Sequence, residues 1–407
     1  MKKQRRRKEK GITLVALVVT IIVLIILAGV TLYIVLDQNG IINNEQQAVE
    51  DYENSQREEQ ELLNQVMNNP GGGSGGEITY VRDVPIPSGY VASQVPGENT
   101  VPRGLVIYEG TDPVTEANHA EALTTRNQYV WIPVEDINSM VMCESNSGTS
   151  QCNLVYDEEE DTLTCTTHPD TATELVGRLY TTTYTSTTEG DNTIYTYEMD
   201  FTKRDQTYTE GSGHHEPNTV SYDADNSLTI EQLKSDFTAM AKSVAKNGGF
   251  YISRYEVGEG GNSKKGQAVL TAGSSDGSNY LGANMWYGLY NSIRKIDENK
   301  QMIWGCQYDQ VIKFIGEQAQ VGHSDRNLTT THALSGQNEQ DCMKNIYDLE
   351  GNHYEWTDEA NWTNDRAFRG TNYNDAGNGN FSPASDRYDG NPTGSSSVGS
   401  SRTTLYL

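Results

Sequence analysis

An apolar stretch near the N-terminus places the strongest constraint on this chain. The 25 residues from Ile12 to Leu36 contain no charged side chain. A helix of that length rises about 37 Å, which is enough to cross a hydrocarbon core of about 30 Å. The ten residues before the stretch include seven Lys or Arg and one Glu, and such clusters stay cytoplasmic. The sequence therefore predicts a single-pass protein of the cell membrane, with a transmembrane helix over residues 12–36 and an extracellular C-terminal domain.

A secretory signal peptide is the competing interpretation, but its apolar core would span only about 7 to 15 residues and end at a small-residue cleavage site. The junction Lys10-Gly11-Ile12-Thr13-Leu14 resembles the leader of type IV prepilins and related secretion-system subunits. The resemblance implies a leader over residues 1–11, cleavage after Gly11 by a prepilin peptidase, and methylation of Ile12. Prepilins usually carry Glu at the fifth mature position, where this chain has Ala16. Assembly with pilus or pseudopilus subunits therefore stays open.

Two polar segments follow the apolar stretch. Residues 37–67 carry sparse apolar side chains at helical spacing, which predicts a helical stalk. Residues 68–76 contain Pro70 and five glycines, which predicts a flexible linker. Residues 72–76 match G-x-S-x-G, but the strand and helix that a nucleophile elbow needs are missing, so we interpret them as linker. The globular domain then extends over residues 77–407.

Charge and cysteine content limit the classes of function. The net charge is -26, and such acidity repels nucleic acid. The five cysteines match no C-x-x-C metal or redox pattern. Outside the cell, Cys143 with Cys152 and Cys306 with Cys342 could form disulfides, and the odd count leaves one thiol over.

Local patterns predict several elements of the globular domain. Residues 128–134 are aromatic and β-branched, as in a core strand. Thr229 with Gln232 forms a capping box before a helix from Ile230 to Lys246, whose apolar residues share one face. Residues 138–226 are rich in Thr and Tyr and predict a β-rich insertion with a polar surface.

Four segments of the second half occur in a recognisable order. They read GFYISRYEV at 249–257, NIYDLEGNHYEWT at 345–357, RAFRG at 366–370 and SRTTLYL at 401–407. Together they resemble the formylglycine-generating-enzyme (sulfatase-modifying factor) family, a branch of the C-type-lectin-like fold. With the N-terminal segments, the resemblance implies an α+β fold class: a transmembrane helix and stalk followed by a C-type-lectin-like domain that carries the insertion.

The resemblance does not extend to the catalytic groups of the family. Its copper-dependent oxidases use two cysteines after the R-x-x-R-G element, whereas this chain has no cysteine after Cys342. The histidine-rich iron site of the sulfoxide-synthase relatives is missing too, and His214-His215 lacks the H-E-x-x-H spacing. The sequence therefore predicts neither catalysis nor a cofactor. A divergent formylglycine-generating-type enzyme is an alternative.

Residues 371–401 are almost wholly Asn, Asp, Ser, Gly, Thr and Tyr, the chemistry of antibody loops. In this fold family, target proteins of diversity-generating retroelements are diversified in the corresponding C-terminal segment, so the resemblance implies a variable ligand-binding region. The predicted contact residues are Asn372, Tyr373, Asn374, Asp375, Asn378, Asn380, Phe381, Asp386, Arg387, Tyr388 and Asn391. Their oxygens are compatible with calcium, but no spacing demands it.

These observations predict a surface-displayed adhesin or receptor. Its partner would be a protein or glycan on another cell or a phage. A structural minor pilin or pseudopilin subunit, whose domain caps a filament, is the alternative from a different class.

Overall fold

A computed structural model describes residues 79–81, 83–145, 153–166, 173–204, 214–216, 228–271, 285–294, 299–324, 331–361, 365–392 and 397–407. The predicted leader, membrane helix, stalk and linker, with the processing residues Gly11 and Ile12, lie outside these ranges.

The described elements alternate between short strands and a few helices. In chain order the strands are β1 (Thr79–Val81), β2 (Val84–Ile86), β3 (Tyr90–Ala92), β4 (Val106–Glu109), β5 (Gln128–Pro133), β6 (Val141–Ser145), β7 (Leu154–Asp157), β8 (Thr162–Cys165), β9 (Thr173–Gly177), β10 (Tyr180–Glu189), β11 (Asn192–Arg204), β12 (His214–His215), β13 (Gly249–Ser253), β14 (Lys300–Met302), β15 (Cys342–Met343), β16 (Ile346–Tyr347), β17 (Tyr354–Asn361), β18 (Asp365–Arg369), β19 (Asn380–Phe381), β20 (Arg387–Gly390), β21 (Gly399–Ser401) and β22 (Thr403–Leu405). The helices are α1 (His119–Thr125), α2 (Ile230–Asn247), α3 (Met285–Arg294), α4 (Gly305–Ile315) and α5 (Tyr373–Gly377).

The largest sheet has six strands in the spatial order β14-β22-β13-β5-β4-β3, and all neighbours are antiparallel. Side chains of β5 alternate between its two faces. Val130 and Ile132 pack in the main core, whereas Tyr129 and Trp131 pack in a second core on the opposite face. The sheet is therefore buried on both sides, which explains why residues 129–134 are apolar without interruption.

A second sheet carries the C-terminal segments. Its strands β12, β17, β18 and β20 are antiparallel neighbours, and β21 pairs with β17 in parallel. The predicted signature segment forms β17 and the turn before it, where Asn352 adopts a left-handed conformation with φ of 63°. A third sheet joins β10, β11 and β19.

The predicted helix over residues 230–246 is confirmed as α2. The Thr229 side chain accepts a hydrogen bond from the Gln232 amide at 3.1 Å, and Gly248 ends the helix with φ of 71°. Its apolar face is buried and its other face carries charged residues.

The fold class and localisation predicted from the sequence are corrected on one point. Within the described ranges, no helix is long and apolar enough to cross a membrane. The longest of these helices, α2, has 18 residues and includes the charged residues Glu231, Lys234 and Asp236. The helix is amphipathic, and its apolar face packs against the sheets. What the structure shows is a β-rich fold with few helices that is compatible with a C-type-lectin-like domain. The prediction of a single-pass protein with a transmembrane helix is therefore not carried further.

The described part of residues 138–226 contains the strands β6 to β12. Cys143 and Cys165 are disulfide-bonded, and Cys306 and Cys342 are free thiols. The predicted pairing of Cys306 with Cys342 is therefore wrong, because Cys306 is buried within α4 and Cys342 lies on β15. The predicted pairing of Cys143 with Cys152 involves a residue outside the described ranges.

Glu216 is a buried carboxyl that follows β12. Its oxygens accept hydrogen bonds from the Gly305 and Cys306 amides at the start of α4, the latter at 3.0 Å. Burial, together with the neighbouring Glu359, raises the pKa of Glu216 to about 8.

This raised pKa predicts that the fold becomes less stable as pH increases. Between the unfolded pKa of about 4.3 and the folded pKa of about 8, the folded state binds more protons than the unfolded state, so stability falls as pH rises. We expect the Tm to drop between about pH 5 and pH 8, and the Glu216→Gln variant, which cannot ionise, to lose at least about 3 °C less over that window. Melts followed by tryptophan fluorescence test this. A Tm that rises with pH, or parallel slopes in the two proteins, would contradict it.

Candidate functional site

The structure separates the predicted contact residues into buried and exposed groups. Asn372, Phe381 and Asp386 are buried; Asn374, Asn378, Tyr388 and Asn391 are exposed; Tyr373, Asp375, Asn380 and Arg387 are intermediate. Asn374 lies on α5, Asn378 at its end, Tyr388 on β20 and Asn391 directly after β20. A single stretch of similar composition thus supplies both an interior framework and an outer surface.

Helix α5 is fixed by a small polar network. The Asn372 side-chain oxygen accepts from the Asn374 amide at 2.8 Å and from the Asp375 amide at 3.3 Å, which is N-capping geometry. The Asn372 side-chain amide donates to Asp375 Oδ2 at 2.7 Å, and the Tyr354 hydroxyl donates to the same oxygen. Asn372 is therefore the N-cap residue of α5.

Tyr388 is the most exposed aromatic residue of the predicted segment, with 61% of its surface accessible. Its ring lies parallel to that of Tyr354, with centroids 6.2 Å apart and planes 7° apart. Tyr354 packs on Phe368 at 5.2 Å, and Phe368 packs on the buried Trp356 at 3.7 Å. A continuous aromatic stack therefore runs from the core to the surface and holds Tyr388 in place.

We define the recognition surface as α5 together with Tyr354, Asn378 and Tyr388. The hydrogen bond from Tyr354 to Asp375 joins the aromatic stack to the helix. Sequence reasoning missed Tyr354, although its place in the signature segment, one residue before Glu355, is the signal that would have found it.

The side chains of Arg387 and Asp386 are buried beneath the recognition surface. The Arg387 guanidinium contacts both Asp309 oxygens at 3.0 Å and Glu359 Oε1 at 3.0 Å, and its side chain is 4% exposed. Burial raises the pKa of Asp386 to about 6. Both residues were predicted to contact a ligand, but the structure places their charged groups in the interior.

The insertion contributes to the same region. Thr193 and Ile194 of β11 pair in parallel with Asn380 and Phe381 of β19. The Tyr195 hydroxyl donates to Asn380 Oδ1 at 3.3 Å. Asn380 and Phe381 therefore connect the segment to the insertion hairpin, which residue spacing alone did not indicate.

Two histidines lie beside α5. The Tyr373 ring is 6.1 Å from the ring of His332 and 5.6 Å from that of His353. Burial lowers the pKa of His353 to about 4 and also lowers the pKa of His332. Both rings are therefore neutral at pH 7. Neither was among the predicted site residues.

Across the described ranges, no group of three or more His, Cys, Asp or Glu side chains is placed to hold a metal ion. Calcium at the recognition surface stays a prediction from the sequence. Within the predicted segment, the Asn372 and Asp375 side chains are occupied by hydrogen bonds to each other.

No family model matches the chain, and no curated protein matches it. Among solved structures, the chain is similar to one titled Major Tropism Determinant I1 Variant. The TM-score is 0.30 and the identity 14%, over 39% of this chain and half of the other. A similarity of this extent carries no argument about function. The prepilin and formylglycine-generating-enzyme resemblances remain predictions from the sequence.

Proposed function

We propose that the recognition surface binds a protein or glycan ligand without covalent chemistry. The observation that carries the proposal is Tyr388, which is 61% exposed although its ring is held parallel to Tyr354 on a buried aromatic base. Aromatic side chains at interfaces supply large contact area at a low cost in conformational entropy. Because the stack restricts Tyr388 before binding, less entropy is lost when a ligand covers it.

The polar groups of the recognition surface favour a neutral or cationic ligand. Asn374 and Asn378 offer amides that donate and accept hydrogen bonds, and Asp375 adds a carboxylate whose Oδ2 already accepts from Asn372 and Tyr354. The guanidinium of Arg387 is buried against acidic groups. With a net charge of -26 on the whole chain, an anionic partner would be repelled at long range.

The cysteines support binding rather than thiol catalysis. Burial raises the pKa of both Cys306 and Cys342, so both remain protonated thiols at neutral pH. Since the thiolate is the nucleophile and the metal ligand, neither is activated for the chemistry of the copper-dependent oxidases.

A binding screen tests the proposal. The full chain is applied to an array of defined glycans and an array of purified surface proteins, together with an Asn374→Arg/Asn378→Arg variant. The matched control is Thr162→Arg/Thr164→Arg, which adds the same charge at exposed positions of β8. We expect at least one ligand whose signal falls about tenfold or more in the first variant and is kept in the control, because two long side chains, one on α5 and one at its C-cap, obstruct the surface. Equal retention in both variants would contradict the proposal.

Diversification by a retroelement is a second hypothesis about the same segment, and the Asn-rich and Tyr-rich composition of its exposed positions supports it. Under this hypothesis, substitutions among sibling genes fall on Asn374, Asn378, Tyr388 and Asn391 and spare the buried Asn372. Sequencing the 3′ end of the gene across siblings tests it. An invariant segment, or changes spread equally over buried positions, would count against it.

A further inference from the structure

His332 and His353 present nitrogen atoms to each other at the edge of α5. His332 Nδ1 lies 3.0 Å from His353 Nε2, the ring centroids are 4.9 Å apart, and the planes cross at 77°. His353 is buried and His332 is exposed. The pair therefore connects the interior to the solvent beside the recognition surface.

The inner histidine is oriented by the buried carboxyl group of Glu256. Glu256 Oε1 accepts from the His353 backbone amide at 3.0 Å and lies 3.2 Å from His353 Nδ1. Glu256 Oε2 accepts from the Asn352 side chain at 2.6 Å. With Nδ1–H donated to Glu256, the lone pair on His353 Nε2 faces His332 and accepts a hydrogen bond from His332 Nδ1. A metal ion would replace this proton once His332 carries its proton on Nε2 instead. A histidine that donates one nitrogen to a carboxylate and uses the other as a ligand is the usual arrangement behind a metal site.

The backbone next to the outer histidine is also fixed. The Ala333 amide donates to the Asn352 side-chain oxygen at 3.1 Å, and the Asn352 side-chain amide donates to the Ala333 carbonyl at 3.3 Å. Asn352 thus ties the residue after His332 to the same network that holds Glu256. The His332 ring itself remains exposed and can adjust by a few tenths of an ångström.

We propose that His332 Nδ1 and His353 Nε2 together bind one divalent transition-metal ion of the Zn²⁺ type. Two imidazole nitrogens that share a tetrahedral Zn²⁺ at about 2.0–2.1 Å lie roughly 3.3 Å apart, close to the observed 3.0 Å. Imidazole suits Zn²⁺, Ni²⁺ and Cu²⁺ better than the hard cations that prefer oxygen. In the described part of the chain no third His, Cys, Asp or Glu completes the pair, so water or a ligand group on the recognition surface fills the remaining positions.

Titration of the metal-stripped full chain with Zn²⁺ alone, by calorimetry, tests the proposal. We expect saturable binding of one ion at the pair and at least a tenfold rise in Kd in His332→Ala, whose exposed ring can be removed without unfolding the chain. The matched control is His323→Ala, since His323 Nδ1 instead contacts Glu350 at 3.0 Å. A background variant with His214→Gln and His215→Gln removes the only adjacent histidine pair of the sequence.

Co²⁺ gives a second readout, because its visible absorption reports imidazole coordination directly. An absorption band in the parent and the control that disappears in His332→Ala supports the proposal. Zn²⁺ affinity within twofold of the parent in His332→Ala, or no saturable binding in the parent, would overturn it. The measurement uses no other ligand, so its failure would leave the proposed binding function standing.

Discussion

Replacing Arg402 by Met is expected to lower the free energy of unfolding by about 3–5 kcal/mol, because the change leaves a buried carboxylate without its counter-charge. The Arg402 Nε donates to Glu355 Oε1 at 2.5 Å, and neither side chain is exposed to solvent. The guanidinium also donates to the carbonyls of Ser253 and Arg254 at 3.3 Å and to that of Tyr347. One side chain therefore joins β17, β13, β16 and the C-terminal strand. Chemical denaturation followed by tryptophan fluorescence measures the loss.

Two further variants distinguish the buried charge from general damage. Arg402→Met/Glu355→Gln removes both charges and is expected to recover part of the loss, since no ion is then left unpaired. Arg126→Met, in contrast, removes an arginine whose Nη2 lies 3.8 Å from an Asp112 side chain that is 87% exposed. Arg126→Met should lower the free energy of unfolding by about 1 kcal/mol or less. Equal losses at Arg402 and Arg126, or a double variant that is no more stable than Arg402→Met, would contradict the account.

Replacing Tyr388 by Ala is expected to weaken ligand binding about 30-fold, which corresponds to about 2 kcal/mol. Interface residues whose truncation costs this much binding free energy are enriched in tyrosine and lie in well-packed surroundings. The Tyr354 ring, with its centroid 6.2 Å from that of Tyr388, supplies such packing. The Tyr388 side chain is more than half exposed, so its removal should change the Tm little. Calorimetry with the ligand found in the screen gives the Kd of each protein.

The sequence was sufficient to predict the elements whose patterns are local. The apolar run at 129–134 forms a strand with a core on each face, and the capping pair Thr229 and Gln232 marks the start of α2. Such features depend on neighbours within a few residues, so the residues themselves contain the information.

The candidate site was predicted only as a segment, since its internal division depends on distant contacts. Asn372 and Asn374 are the same residue type two positions apart, yet one caps α5 and the other faces solvent. From the sequence alone, Arg387 is expected to be an exposed cation. In the structure its guanidinium contacts Asp309, which lies 78 positions away in the sequence. Composition cannot distinguish such cases, because the partners are set by the packing of sheets that are remote in sequence.

The histidine pair illustrates the same limit at longer range. His332 and His353 are 21 residues apart, and the carboxylate that orients the inner ring is 97 residues from it. No spacing motif joins the three residues. They meet only because the turn before β17 brings His353 against the segment after β13.

The most direct test of the central claim is the Kd of one ligand for Tyr388→Ala and Tyr80→Ala, measured side by side with the parent chain. Tyr80 is 66% exposed on β1, so its removal deletes the same side chain from a surface outside the predicted segment. We predict a Kd about 30-fold higher for Tyr388→Ala and within twofold of the parent for Tyr80→Ala. Equal affinity in all three proteins, or a larger loss at Tyr80, would show that the ligand binds elsewhere and would contradict the account.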